Sequence, residues 1–171
     1  LHPGNHRPLV RILLVVAGRD LVAELARDPG VAEAAVQGAE LAAAAGLDAN
    51  VVSSGEWAVA RAAGLPNCRI TLEGVGKSSA DLRAAVRACA EGSPLRWVAV
   101  ESPEELDALV AMADRAGLGR RGLAALDVLL RLNPDVQPET HAGLAVGRGS
   151  SKFGMTETEL TAAVASLDRD G

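Results

Sequence analysis

Residues 95–117 read LRWVAVESPEELDALVAMADRAG. Arg96 to Glu101 is a short apolar run of strand character. Ser102-Pro103-Glu104-Glu105 then supplies an N-cap, a proline at the first helical position and a capping-box glutamate. Leu106, Leu109, Val110 and Ala113 recur with helical period, so they form one buried stripe, and Gly117 ends the helix. One strand followed by one amphipathic helix is the unit from which parallel sheets are built.

The same unit repeats on both sides. Toward the N-terminus, Ser78 and Asp81 open a helix whose inner face is Leu82, Ala85, Val86 and Cys89, ending at Gly92; the strand Cys68 to Leu72 precedes it. Before that come the helix Glu56 to Ala63, stopped by Gly64 and Pro66, and the strand Asn50 to Ser53. Helical sequence runs from Asp20 to Ala45, interrupted by Asp28-Pro29-Gly30 and closed at Gly46. The first strand is Val10 to Val16 (VRILLVV). Toward the C-terminus, Asp127 to Leu132 is a strand and a long loop runs to Gly154. Thr156 with Glu159 opens a last helix with the stripe Leu160, Val164 and Leu167. Strands alternating with helices imply parallel pairing through right-handed crossovers. The expected fold class is α/β, an open sheet or a partial (β/α) barrel of about five strand–helix units in a single domain over 1–171.

Composition narrows the function. With 171 residues, 49% of them hydrophobic and 23% charged, the chain can bury a core and is neither disordered nor fibrous. A net charge of −5 excludes nucleic acid as the main partner, which needs a basic face. No apolar run spans a bilayer, so no membrane partner and a cytoplasmic setting are expected. Cys68 and Cys89 are isolated thiols with no metal-ligand spacing, expected as small buried hydrophobes. Only Lys77 and Lys152 are lysines among 17 basic residues.

Residues 74–78, GVGKS, follow a strand and open a helix, as a phosphate-binding loop does. The full pattern needs a glycine where Thr71 stands, and Glu73 would repel phosphate. A P-loop-like phosphate binder is therefore the weaker reading. The segment fits better with its neighbours: ANVVSSGE at 49–56, VESPEEL at 100–106 and LRLNPDVQPETHAGLAVGRGSSKFG at 130–154. In order, spacing and strand–helix context these resemble the diaminopimelate decarboxylases, within the ornithine, diaminopimelate and arginine decarboxylases that share an alanine-racemase-like barrel. The resemblance covers 49–155.

That resemblance implies a pyridoxal-phosphate (PLP) binding barrel which, in complete members, decarboxylates meso-diaminopimelate to L-lysine, and a homodimer with shared sites. It implies that Arg131 faces the cofactor's phenolic oxygen, against the plain alternative of a surface ion pair. It implies that His141 and Lys152 border the site, against a solvated loop histidine and a structural salt bridge. Ser53, Ser54 and Glu56 match the strand-end motif, though capping the next helix explains them equally, and Lys77 is read as a structural cap too.

The departures set a limit. The family holds PLP as a Schiff base on a lysine in a first strand of the form YAVKAN. VRILLVVAGRD occupies that place in order with Val16 near the position, and the other alignment, through Ala35 to Gly38, offers Gln37. Neither can form an imine. The His-Ile-Gly-Ser segment, the glycine-rich phosphate loop and the C-terminal β domain with its catalytic residues are not in the sequence, and Asn50 replaces the usual aspartate. The expectation is a fragment inactive alone, with no catalytic residue and no metal of its own. A catalytically dead homologue serving as a binding or regulatory partner is the alternative. Open sheet edges, and an inner face of Val, Leu and Ile side chains that a closed barrel would bury, would need a second copy or another partner to cover them.

Overall fold

The computed structural model describes residues 13–15, 29–119, 125–133 and 153–167. Five strands, β1 (Leu13–Val15), β2 (Asp48–Val51), β3 (Ile70–Leu72), β4 (Trp97–Val100) and β5 (Val128–Leu130), form one sheet in the order β1-β2-β3-β4-β5. Every neighbouring pair is parallel, with Val15 opposite Asn50, Asn50 opposite Thr71, Thr71 opposite Trp97 and Ala99 opposite Leu129. The helices are α1 (Pro29–Ala44), α2 (Ser54–Ala62), α3 (Ser79–Ala90), α4 (Pro103–Ala116) and α5 (Glu157–Leu167), each packed on the next. A doubly wound sheet reverses its strand order at a switch point; this one never does, and its helices form a single layer. The architecture is a partial (β/α) barrel.

Alternation along each strand sorts the two faces. Ala49, Val51, Ile70, Leu72, Val98 and Val100 join the core with Leu82, Ala85, Val86, Cys89, Leu106 and Leu109 of the helices. The opposite face carries Asn50, Thr71, Ala99 and Leu129. The expected inner face of Val, Leu and Ile is therefore wrong for β2, β3 and β4, whose branched apolar residues face the helices, while Leu129 of β5 does lie on it. Leu129 and Leu132 are exposed, while Leu130 packs against the core.

Several boundaries move for local reasons. Pro29 is the first residue of α1, a position where its missing N–H is no loss; the helical sequence expected before it, from Asp20, lies outside the described residues. The strand expected at 50–53 is β2, ending at Val51, because Ser53 is extended and accepts the Glu56 N–H as the N-cap of α2. Residues 67–69 form a 3-10 turn instead of strand, held where Asn67 accepts from the Trp57 indole at 2.9 Å and donates to the Ser93 carbonyl at 2.7 Å. In α5 the buried residue is Ala163, whereas Val164 and Leu167 are exposed. Cys89 is buried as expected but Cys68 is exposed.

At the N-terminal ends of the strands, Asp48 receives Arg69 at 3.0 Å and Arg96 at 2.5 Å, a half-buried triad that joins β2, β3 and β4 at their starts.

Candidate functional site

Three strand-to-helix corners line the C-terminal edge, and they share one device. Ser53, Ser78 and Ser102 are extended N-caps whose hydroxyls accept from Glu56, Asp81 and Glu105 N–H at 3.3, 3.2 and 3.2 Å. Each acidic residue reaches back. Asp81, one methylene shorter, reaches the cap residue itself, accepting from Ser78 N–H at 2.8 Å. Glu56 and Glu105 reach one residue further, to the N–H of Val52 and of Glu101, both at 2.8 Å. The sequence-based cap at 102–105 is thus present, with its reciprocal bond displaced to Glu101. Ser53, Ser54 and Glu56 act as caps too, Ser54 N–H donating to Asp81 at 2.8 Å. Burial alone would raise the Asp81 carboxyl, but its bonds from Ser78 and Ser54 outweigh that and hold it below the usual range.

The second oxygens differ. Glu105 Oε1 meets Lys77 Nζ at 3.2 Å, and that lysine, its side chain wholly buried, also donates to the Gly74 carbonyl. Glu56 is fully buried and its Oε1 has no partner among the described residues; neither has the buried Oδ1 of Asn50, the inward residue of β2. Burial pushes the Glu56 carboxyl up, opposed in part by the Val52 N–H. A raised folded-state value means that the native state holds this proton to higher pH than the unfolded chain. The resulting stability is complete below the unfolded value and lost as pH rises through the folded one. Glu56→Gln keeps an acceptor for Val52 and removes the titration. The variant should gain on the wild type, by denaturant midpoint, from acidic toward neutral pH. Parallel pH profiles would exclude this.

At the end of β5, Arg131 lies between two groups. Its Nη1 stands 3.3 Å from Glu101 Oε1, and the guanidinium lies 5.1 Å from the centroid of Phe153, the single phenylalanine of the chain. Its backbone is held as firmly. Arg131 N donates to Val100 O at 3.0 Å, Met155 N to Arg131 O at 2.7 Å and Asn133 N to Met155 O at 2.7 Å, so Leu132 and Met155 form an isolated parallel bridge. Gly154, at φ +76°, makes the approach possible.

Of the site residues expected from sequence, Arg131 stands directly after β5 with 40% of its side chain exposed. His141 and Lys152 lie outside the described residues. Gln37 sits on the exposed side of α1, so residues 35–38 are not a strand remnant. The phosphate-loop reading of GVGKS is disfavoured: Lys77 is committed to Glu105, and the adjoining cavity of about 290 Å³ is lined by Glu101, Glu104 and Glu105. Glu101, Glu105, Phe153 and Gly154 were missed as site-building residues, although each lies inside a quoted motif. Among the described residues no group of three His, Cys, Asp or Glu could hold a metal, and no helix is long and apolar enough to cross a membrane.

Residues 32–170 match the pyridoxal binding domain of the pyridoxal-dependent decarboxylases. The chain belongs to this family. Diaminopimelate decarboxylase of Aquifex aeolicus is 40% identical over 110 residues, covering 64% of this chain and 24% of the relative. That of Zymomonas mobilis is 37% identical over 122 residues, covering 71% and 26%. The crystal structure of the Helicobacter pylori enzyme complexed with L-lysine superposes with a TM-score of 0.67 at 27% identity, over 78% of this chain and 31% of that one. The chain thus spans about a quarter of the length of the relatives it matches. The matched region begins after β1.

The described residues suit the ring of the family's cofactor rather than its attachment. Arg131 offers a fixed cation, and Asn50 Oδ1 and Glu56 Oε1 offer buried acceptors at the same edge. Lys77, the one lysine among the described residues, is occupied.

Proposed function

We propose that this chain forms the cofactor-facing wall of a PLP-dependent amino-acid decarboxylase, with meso-diaminopimelate as substrate and L-lysine as product. The observation that carries this is Arg131, a cation held at the C-terminal end of β5 by Glu101 and Phe153. Bound pyridoxal phosphate supplies the electron sink for the pair left when the substrate carboxylate departs as carbon dioxide. The part of this chain is electrostatic. Arg131 stabilises negative charge on the ring's phenolic oxygen, a task suited to a guanidinium that stays charged at all working pH. Covalent attachment is proposed to lie outside this chain, because the sequence has only Lys77 and Lys152 as lysines and Lys77 is paired with Glu105; a binding role without catalysis is the second reading for the chain by itself. His141 and Lys152 are proposed to border the same site. A second copy or another partner is proposed to cover the β5 edge, where Leu129 and Leu132 are exposed, and the setting is proposed to be cytoplasmic.

The test transplants residues 49–155 into the Aquifex aeolicus enzyme in place of its matching segment. The chimera should let a bacterium lacking diaminopimelate decarboxylase grow without added lysine. A folded, cofactor-loaded chimera that fails to do so would refute the reading.

A further inference from the structure

The corners at 53–56 and 102–105 make the same cap, each glutamate accepting at 2.8 Å from the residue before the serine. Glu56 does this with no cation at its second oxygen among the described residues. Capping therefore does not require Lys77, yet Lys77 is buried completely, at some cost in desolvation, to reach Glu105. What distinguishes the second corner lies beyond it. The residue held by Glu105 is Glu101, whose buried carboxylate faces Arg131 Nη1 at 3.3 and 3.5 Å, whereas the residue held by Glu56 is Val52, with no charge to direct.

We infer that Lys77 and Glu105 are positioning residues for Arg131. The line of contact runs across three consecutive strand ends: Lys77 after β3, Glu105 and Glu101 after β4, Arg131 after β5. Lys77 fixes the orientation of the Glu105 carboxylate, and Glu105 fixes the Glu101 N–H, hence the direction in which the Glu101 side chain leaves β4. Glu101 then fixes, beside Phe153, an arginine whose side chain is 40% exposed. Networks of this kind orient the group that does the chemistry without touching the ligand. The functional meaning rests on the proposed place of Arg131 at the cofactor ring; the relay itself does not.

The experiment uses the 171-residue chain without ligand. The side-chain Nε–H resonance of Arg131 is assigned by its loss in Arg131→Lys and compared in Lys77→Met and Glu105→Gln. The second variant keeps an oxygen for the Glu101 N–H and is the milder of the two. The Trp57 indole resonance, bonded to Asn67 in another part of the core, reports whether the fold is unchanged. The relay predicts that the Arg131 signal shifts and exchanges faster in both variants while Trp57 stays in place. If Lys77→Met does not fold, Glu105→Gln decides alone. An unmoved Arg131 signal in a folded variant overturns the inference. A moved signal, in a chimera whose activity is indifferent to Arg131, would instead sink the cofactor reading and leave the relay standing.

Discussion

Gly154→Ala should destabilise the chain by about 2–4 kcal/mol, a large share of the total for a domain of this size. Two costs act together. A non-glycine residue at φ +76° carries strain on the order of 1–3 kcal/mol. An added Cβ would also stand 2.9 Å from Arg131 O and 3.1 Å from both Arg131 Cγ and Asn133 N. Two of these three atoms are backbone, pinned by the bridge to Met155, so they cannot yield as a side-chain tip would. Gly46→Ala is the control: its φ is +79°, and nothing lies within 4 Å of the added carbon. Chemical denaturation should show Gly154→Ala losing clearly more than Gly46→Ala. Equal losses would mean that the approach of residue 154 to Arg131 is not tight.

The repeated unit was legible in the sequence because its signals are local. Ser102-Pro103 and the stripe through Leu106 and Leu109, or Ser78 with Asp81 and the stripe through Leu82 and Cys89, need only neighbours three or four residues away. Strand order was not local, and the choice between open sheet and barrel waited on β1 to β5 lying in sequence order. The inner face was misread in β2 to β4 because branched apolar residues were assigned to the barrel interior, whereas the helices took them and left Asn50 and Thr71 inside. In the site, Arg131 was legible through the resemblance of its surrounding motif. Glu105 was legible only as a cap: its link to Lys77 spans 28 positions and depends on two loops meeting. Gly154 was quoted as the end of SKFG, but its reason is a contact with a backbone 23 residues earlier.

Arg131 carries the largest functional expectation. In the proposed place beside the phenolic oxygen, its cation would act as a preorganised donor does, and removal of one such donor lowers kcat by about 10²–10³, or about 2.7–4 kcal/mol. The loss should fall on kcat more than on KM, because the charge being stabilised belongs to the reacting ring and grows as the substrate carboxylate departs. Lysine should restore part of it, since it keeps the charge but not the planar fork that Glu101 and Phe153 hold. The most direct measurement is steady-state release of carbon dioxide from meso-diaminopimelate by the purified, cofactor-loaded chimera carrying residues 49–155, with Arg131 intact or replaced by alanine. A fall in kcat of about two to three orders of magnitude, with cofactor still bound, is the predicted result. An Arg131→Ala chimera that turns over as fast as its parent would contradict the assignment of this strand end to the cofactor.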